Sequence, residues 1–325
     1  MPHAVSLARI RPLAMLLSIT LLSFALPDAG AAPTEATAPA ACTGQAPSGE
    51  LTARRIAAVQ PSRKEAGLYE GAVWIKDALY FSDFSFGPGF PSRIRKLGPD
   101  GSVSTAVEDS GSNGLAVDAE GRLVVASHKD KALMRYTLDG KRTPIAQRYQ
   151  GQVFNSPNDI AIAADGTIYF TDPDYQKAAA PGGQPVTGIY RVALDGKVTL
   201  VDGSRKNPNG IALSPAGDVL YVNASDGLLK AYPIVNGVPG PGRDLVTGLA
   251  VADGMTLDCH GNLYITEHEA RRVRVFSPQG KALATIRVDA NVTNAAFGGA
   301  DGKTLYLTGA GALWQIPLQV TGAPY

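Results

Sequence analysis

Short apolar runs alternate with polar turns along most of the chain, and the alternation repeats at steps of 41 to 51 residues. Each copy reads as an apolar strand, a tight turn containing Gly and a second apolar strand. The turns DAEG, AADG and DCHG carry the Asp and Gly residues that antiparallel hairpins need, and the runs are too short for helices. Six copies occur, at 71–83, 114–128, 159–173, 210–225, 254–268 and 295–309.

A more polar pair of segments follows each copy, as in ALMRYTLDGKRTPIAQ at 132–147 and GIYRVALDGKVTLVDG at 188–203. A repeat of this length that holds four antiparallel strands is typical of a propeller blade, whereas a helical solenoid would show the periodicity of an α-helix. No long amphipathic helix pattern follows residue 56. The pattern predicts an all-β, six-bladed β-propeller with four antiparallel strands per blade around a central channel.

An oxygen-bearing side chain precedes the first strand of every copy. Because the innermost strand of a blade comes first, we expect these residues to ring one mouth of the channel. Burying six such groups there is costly without a cation or a water network. The alternative is that each one satisfies nearby backbone groups, as Asn and Asp often do in turns. The residues are Glu70, Asn113, Asn158, Asn209, Asp253 and Asn294.

The oxygen atoms of this ring favour calcium. Ca²⁺ takes about six to eight oxygen ligands, and the carboxylates of Glu70 and Asp253 would balance its charge. Mg²⁺ demands stricter geometry and holds its water more tightly, and Zn²⁺ prefers nitrogen and sulfur ligands. The ring therefore predicts Ca²⁺ in a central metal-binding channel, with Zn²⁺, Mn²⁺ or Mg²⁺ as alternative occupants.

The N-terminal region has the pattern of an export signal. Residues 1–31 combine Arg9 and Arg11 with the apolar run PLAMLLSITLLSFAL and a small-residue end. The run is shorter than a membrane-spanning helix, so we expect cleavage, a periplasmic or secreted protein, and no membrane attachment afterwards. Residues 32–55 are rich in Ala, Pro and Thr and are expected to form a flexible leader before one domain at 56–320.

The charge and the cysteine content limit the classes of partner and metal site that the sequence supports. The formal charge is +1 without a basic run, so neither nucleic acid nor a membrane surface is expected as a partner. We expect a monomer that binds a small molecule. Cys42 and Cys259, the two cysteines, cannot build a cysteine zinc cluster. They could pair and pin the leader to the fifth blade, but spacing alone leaves the pairing open.

Six segments together resemble the senescence-marker-protein (regucalcin)/gluconolactonase family over residues 65–318, closest to bacterial secreted gluconolactonase-like lactonases. The resemblance implies a six-bladed propeller with a divalent ion in its channel, and lactonase activity. The segments are YEGAVW, SNGLAVDAEGRLVVASH, FNSPNDIAIAADGTIYFTDPDY, NPNGIALSPAGDVLYV, ADGMTLDCHGNLYIT and TNAAFGGADGKTLYLT.

Carried over residue by residue, the resemblance implies metal ligands at Glu70 in YEGAVW, Asn158 in SPND and Asp253 in ADG, with Asn209 in PNG as the fourth. It also implies that Asn113 in SNG contacts substrate. His128, at the end of the strand that follows, is predicted as a second substrate-binding residue.

Two positions depart from the family pattern. Gly111 stands where regucalcin-like members have Arg, so one contact to a polyol substrate is missing. Thr256 stands where related fluorophosphatases have an Asp near a second calcium, so a second calcium site is not expected.

The function predicted from the sequence is calcium-dependent opening of a lactone ring, with a sugar lactone such as gluconolactone as substrate. Asp253 would be the catalytic residue, either as general base or as nucleophile. Serine hydrolysis is disfavoured because no G-x-S-x-G occurs. The alternatives are a phosphotriesterase or fluorophosphatase-like hydrolase and a secreted propeller that binds without catalysis. We expect Phe86 and Tyr175 to pack at the core or rim rather than to line a substrate site.

Overall fold

The computed structural model describes residues 1–3, 42–56, 67–178 and 180–324 of the chain. Most of the predicted signal peptide and part of the predicted leader lie outside these residues. Met1–Ala38 forms one unit, and the propeller belongs to a second unit, Pro39–Tyr325. The regular secondary structure in the described ranges consists of β-strands. No helix in these ranges is long and apolar enough to cross a membrane.

Two short strands precede the first blade, and three blades follow in chain order. The N-terminal strands are β1 (Gly49–Thr52) and β2 (Arg54–Arg55). Blade 1 comprises β3 (Gly67–Ile75), β4 (Ala78–Ser85), β5 (Ser92–Leu97) and β6 (Val103–Val107). Blade 2 comprises β7 (Ser112–Val117), β8 (Leu123–Ser127), β9 (Ala132–Tyr136) and β10 (Arg142–Ala146). After the hairpin β11 (Arg148–Tyr149) and β12 (Gln152–Val153), blade 3 comprises β13 (Ile160–Ile162), β14 (Ile168–Asp172), β15 (Gly188–Val192) and β16 (Val198–Asp202).

The second half of the chain forms the remaining three blades. Blade 4 comprises β17 (Pro208–Leu213), β18 (Val219–Ala224), β19 (Leu229–Val235), β20 (Val238–Pro239) and β21 (Arg243–Val246). Blade 5 comprises β22 (Ala252–Leu257), β23 (Leu263–Glu267), β24 (Arg272–Phe276) and β25 (Ala282–Arg287). Blade 6 comprises β26 (Val292–Gly298), β27 (Thr304–Gly309) and β28 (Leu313–Pro317).

Within each blade the strands pair antiparallel in chain order, except that in blade 4 both β20 and β21 pair with β19. The first strand of every blade touches the first strand of the next blade, and β26 touches β3 to close the circle. These contacts place the first strands innermost. The predicted six-bladed, all-β propeller is therefore confirmed.

The hydrophobic core is divided among the interfaces between blades. Six clusters of buried side chains occur, and each joins two neighbouring blades. At the interface of blades 5 and 6, for example, Tyr264 and Trp314 are fully buried. Burying a large apolar side chain contributes about 1.5–3 kcal/mol, so these interfaces hold the ring of blades together.

The N-terminal strands extend the propeller beyond the expected boundary at residue 56. β2 pairs with β28 and supplies the outermost strand of blade 6, and β1 adds to β25 of blade 5 in parallel. A disulfide also joins Cys42 to Cys259 at the start of this segment. Residues 49–55 are thus ordered strands rather than a flexible leader. Neither strand was predicted, because both are short and mostly exposed.

Candidate metal centre

A β-bulge lies at the ring residue in five of the six inner strands. In blade 1, Glu70 pairs with Ser82 but the next pair is Val73 with Tyr80, so the inner strand contains one extra residue. Bulges re-aim side chains, and here they leave the ring residue at the mouth of the channel. The same irregularity occurs at Ser112/Leu115, Pro208/Ile211, Ala252/Met255 and Val292/Ala295.

Glycine follows the ring residue in four blades because the neighbouring inner strand approaches so closely. A Cβ at Gly114 would lie 2.0 Å from the carbonyl oxygen of Asn158, whereas the Gly114 amide donates to that oxygen over 2.8 Å. A Cβ at Gly210 would lie 2.3 Å from the carbonyl oxygen of Asp253. The small residue therefore lets neighbouring ring positions pack backbone against backbone.

Carbonyl groups near the bulges are satisfied from the preceding blade. Side chains on the second strand of one blade donate to the inner strand of the next, which ties the ring together around the axis. Such bonds satisfy backbone acceptors that the interrupted ladder leaves unpaired. The bonds are Ser82 Oγ to Asn113 O at 2.6 Å, Thr171 Oγ1 to Asn209 O at 2.7 Å and Asn223 Nδ2 to Asp253 O at 2.7 Å.

Two amide groups of the ring hold its two predicted carboxylate ligands. Asn209 donates from Nδ2 to Asp253 Oδ1 over 2.8 Å, and Asn294 donates from Nδ2 to Glu70 Oε2 over 3.0 Å. The backbone amide of Gly71 also donates to Glu70 Oε2. These bonds orient the carboxylates while leaving the amide oxygen of Asn209 free to face another group.

Buried oxygen atoms without hydrogen bonds indicate that the ring can accept a cation. Among the described residues, Oδ1 of Asn113 and Oδ1 of Asn209 are buried and have no hydrogen-bond donor. Asn158 is 5% exposed, and no hydrogen bond to its side chain is found there either. A buried acceptor without a partner costs about 1–3 kcal/mol, and a metal ion would satisfy several at once.

The acidic groups of the channel reinforce this fit. Burial raises the pKa of Glu70 well above its ordinary value, and the nearby charges of Asp253 and Asp159 raise it further. Burial likewise raises the pKa of Asp159 to about 7, with a smaller contribution from Asp253. Carboxylates that repel one another inside a channel are stabilised by a divalent cation. Both the donor atoms and the charge therefore fit a divalent ion.

Asp159 is a channel residue that sequence reasoning missed. It occupies the position after Asn158, where four other blades have glycine, and it is buried at 6% exposure. The amides of Ile160 and Ile211 donate to its carboxylate. The signal in the sequence was this departure from the repeat. An acidic residue stands where close packing between inner strands otherwise requires glycine.

The two predicted substrate-binding residues lie in different surroundings. Asn113 belongs to the ring, and its buried Oδ1 has no hydrogen-bond donor among the described residues. His128 is fully buried and packs against Phe90 with the two rings tilted and their centroids 4.6 Å apart. Neither imidazole nitrogen has a hydrogen bond of good geometry, although the backbones of Ser156 and Pro157 lie nearby. A direct contact between substrate and His128 stays a prediction.

The environment of His128 keeps it neutral. Burial, followed by the charge of Lys131, lowers the pKa of His128 to about 3. The imidazole is fully buried beside the backbone of Ser156 and Pro157, in the segment that leads to Asn158.

His268 stands beside the predicted catalytic carboxylate. Its Nδ1 lies 3.5 Å from Asp253 Oδ2 and donates to the carbonyl oxygen of Val292 over 3.0 Å. Its Nε2 faces the amide nitrogen of Asn291 at 3.3 Å. Asp253 is the main cause of a raised pKa at His268. The imidazole therefore borders the open side of Asp253.

Tyr175 reaches the ring although it was expected to pack at the core or rim. Its side chain is 42% exposed, yet its hydroxyl donates to the carbonyl oxygen of Asn207 over 3.2 Å. Partial burial and then the charge of Asp253 raise the pKa of Tyr175, and the side chain of Asn209 also contacts it. Tyr175 thus forms a wall of the mouth.

A cavity lies on the channel beyond the ring. Its volume is about 130 Å³, with Asp159 and Asn294 at its polar side and Ala323 and Pro324 in its lining. Cys42, Cys259 and His260 cluster on that opposite face, but the two sulfurs are bonded to each other and are not available as ligands. The ring is therefore the candidate metal centre.

Comparison with known proteins adds independent information. The SMP-30/Gluconolactonase/LRE-like region matches residues 68–311. A gluconolactonase from Zymomonas mobilis is 32% identical over 280 residues, covering 74% of this chain and 75% of that protein. The structure of a Xanthomonas campestris gluconolactonase is 29% identical, covers 85% of this chain and 98% of its own, and superposes with a TM-score of 0.71. The calcium-binding regucalcin of Agrobacterium tumefaciens shares the fold at 20% identity and a TM-score of 0.70, over 86% and 97% of the chains.

The fold and the oxygen-lined ring define a class, the six-bladed propellers with a candidate divalent-metal centre on the axis. Within it, the chain belongs to the SMP-30/gluconolactonase/LRE-like family.

Proposed function

We propose that this protein opens sugar lactones in a reaction that depends on a divalent metal ion, with Ca²⁺ as its occupant. Its gluconolactonase and other lactonase relatives make it a lactone-hydrolysing enzyme. The observation that carries the proposal is the ring itself. It joins two oriented carboxylates to buried amide oxygens that have no hydrogen-bond donor.

We assign Glu70, Asn158, Asn209 and Asp253 as the residues that would hold the ion, because these ring residues supply oxygen donors and no sulfur or imidazole ligand. An all-oxygen set with two carboxylates suits Ca²⁺ better than Zn²⁺. A bound ion would polarise the lactone carbonyl and stabilise the charge that develops on its oxygen.

We assign to Asp253 the role of taking the proton of the attacking water. Asn209 fixes Oδ1 of this carboxylate, so Oδ2 is the atom that remains toward the open mouth. A base acting there takes a proton from water as the water attacks the lactone carbonyl. His268, 3.5 Å from Oδ2, would stabilise the carboxylate and keep its orientation.

We assign the orientation of the substrate to Asn113 and Tyr175. Oδ1 of Asn113 has no hydrogen-bond donor in the fold, and it would accept a hydrogen bond from a sugar hydroxyl. Tyr175 presents an exposed ring beside Asn209, and an aromatic face covers the apolar side of a sugar ring.

The test is acid release from glucono-1,5-lactone in the presence of Ca²⁺, with wild type compared to Glu70→Gln. Wild type should hydrolyse the lactone, and the variant should lose both turnover and Ca²⁺ affinity. A wild type that binds Ca²⁺ but cleaves a phosphotriester and not the lactone would favour the phosphotriesterase alternative. Ca²⁺ binding without hydrolysis of either substrate would favour a binding propeller.

We also propose that the protein is exported, and acts in the periplasm or outside the cell as a monomer. The disulfide between Cys42 and Cys259 supports an oxidising compartment. Cell fractionation of the tagged full chain tests export, since the mature protein should be absent from the cytoplasmic fraction.

A further inference from the structure

A second pocket opens beside the ring, on the same face of the propeller. The connection between β14 and β15 starts at the metal side, because β14 ends at Asp172 and β15 begins at Gly188 opposite it. Between this connection and the Asn155–Ser156 segment lies a cavity of about 300 Å³. This volume is at the lower end of the range for small-molecule sites, about 300–1,000 Å³.

The floor of this pocket is rigidly built. The backbone amides of Asn155 and Ser156 donate to the Asp172 carboxylate over 2.8 and 2.7 Å. Lys131 donates from Nζ to the carbonyl oxygen of Asn155 over 2.6 Å. Two buried charged groups therefore hold one short irregular segment, and this segment continues directly into Asn158 of the ring.

The outer wall is also fixed to the floor. The amide of Gln184 donates to Asn155 Oδ1 over 3.1 Å, and Asn155 Nδ2 donates to the carbonyl oxygen of Val186 over 3.0 Å. The side chain of Gln184 reaches the carbonyl oxygens of Tyr149 and Gln152. The connection is therefore held as a wall, which preserves the cavity without a ligand.

Two charged side chains of the pocket have no partner. Asp174 and Lys177 are exposed residues that line the pocket, and among the described residues neither side chain forms an ion pair or a hydrogen bond. A carboxylate and an ammonium group are thus left for a ligand.

The chemistry of these groups selects a neutral polyol. Asp174 would repel an anion and Lys177 would repel a cation, so neither kind of ion is favoured. Sugar hydroxyls donate to a carboxylate and accept from an ammonium group, which satisfies both residues at once. Ser156 and Asn158 are two residues apart, so their Cα atoms are at most about 7 Å from each other. A ligand can therefore span both sites.

We propose that this pocket is a glycosyl subsite, so that the preferred substrate is a lactone carrying a second sugar rather than a free monosaccharide lactone. The inference rests on the proposed lactonase function and extends it to a substrate class. The lactone ring would occupy the metal mouth, and the attached sugar would lie between Asp174 and Lys177.

The test compares glucono-1,5-lactone with the 4-O-glucosyl gluconolactones derived from cellobiose and maltose. In wild type, kcat/KM should be higher for a glucosylated lactone. The double variant Asp174→Ala/Lys177→Ala should lower that preference about hundredfold, because each of the two lost charged hydrogen bonds is worth about 1.4 kcal/mol, a factor of ten. The loss should appear mainly in KM, and turnover of gluconolactone should not change.

Lys197→Ala is the matched control, since Lys197 is an exposed lysine in the turn at the far end of blade 3. It should leave the preference intact. A preference that is absent in wild type, or equal in wild type and double variant, would overturn the subsite while leaving the lactonase function standing.

Calorimetry with cellobiose, a neutral disaccharide, separates the two proposals. If neither lactone is hydrolysed, the lactonase function fails, and cellobiose binding still tests the subsite. Cellobiose binding that is lost in the double variant supports a glycosyl subsite. Absence of cellobiose binding to wild type rules the subsite out.

Discussion

Asn113, Asn158 and Asn209 look ordinary one at a time, because asparagine before a strand is common turn chemistry. Their repetition at equivalent places predicted the ring, and each lies at the mouth in the structure. Asp159 was not predicted, because it lies one position after the ring residue, where four other blades have glycine. The wall position of Tyr175 was not predicted either, since sequence does not show that its connection turns back over the mouth.

At the residue scale, Asp253→Asn should preserve the fold and lower kcat by about 10²–10⁴-fold, since the amide cannot take a proton from water. Steady-state acid release from gluconolactone measures this change. Asp195→Asn, in an exposed turn of blade 3, is the matched control and should leave kcat unchanged. Turnover near wild type in Asp253→Asn would remove this carboxylate from the chemistry.

Asn113→Ala should raise KM about tenfold, the loss expected for one good hydrogen bond to substrate, and should change Ca²⁺ affinity less. Because Oδ1 of Asn113 has no partner in the fold, thermal stability should hardly fall. Asn262→Ala offers a contrast, since Asn262 donates to Asp258 on the opposite face. That variant should lose stability but keep KM. An unchanged KM in Asn113→Ala would contradict the assigned contact.

At the scale of elements, the repeat predicted β3, β7, β17, β22 and β26 well, because apolar alternation marks half-buried strands. It did not predict the bulges, which depend on contacts between blades. Nor did it predict β1 and β2, since two to four mostly exposed residues carry no periodic signal. Their pairing with blades 5 and 6 comes from tertiary structure.

Gly114→Ala should disturb the ring through packing alone. The new Cβ would meet backbone at 2.0 Å, and backbone cannot move aside cheaply. We expect a loss of about 1–3 kcal/mol in unfolding free energy and weaker Ca²⁺ binding, measured by denaturant titration and calorimetry. Gly87→Ala is the control, because its nearest neighbours lie at 3.5 Å or more. If the two variants had the same unfolding free energy and the same Ca²⁺ affinity, this would argue against tight contact between neighbouring ring positions.

The unfolding free energy should depend on pH through Asp172 in blade 3. Burial raises the pKa of Asp172 from 3.8 to about 7. The folded protein therefore holds this proton more tightly than the unfolded chain. The stabilisation is complete below about pH 4 and is lost as the pH rises toward 7. Relative to Asp172→Asn, wild type should lose unfolding free energy between pH 4 and pH 8. Parallel pH profiles for the two proteins would contradict this account.

At the scale of the whole molecule, the propeller architecture was predictable because a repeat of hairpins leaves few other ways to bury each blade. The contacts that tie the N-terminal segment to the last two blades were not predictable. The link between Cys42 and Cys259 was open from spacing, since 217 residues separate them. The strand that completes blade 6 comes from the N-terminal segment, which the repeat does not include.

The disulfide should stabilise the molecule without affecting catalysis, because it lies on the face opposite the ring. Cys42→Ser/Cys259→Ser should lower the free energy of unfolding by about 2–5 kcal/mol. The same loss should appear in wild type under reducing conditions. Gluconolactone turnover at a temperature where both proteins are folded should be equal. Unchanged stability after reduction would mean that the N-terminal strands hold without the bond.

The most direct test of the account is to strip the protein with chelator, refill it with Ca²⁺, and follow both melting temperature and glucono-1,5-lactone hydrolysis. The ring predicts that stripping lowers the melting temperature and abolishes turnover, and that Ca²⁺ restores both. A stripped protein that melts lower yet hydrolyses the lactone at the full rate would make the ion structural and contradict the proposed metal-dependent reaction.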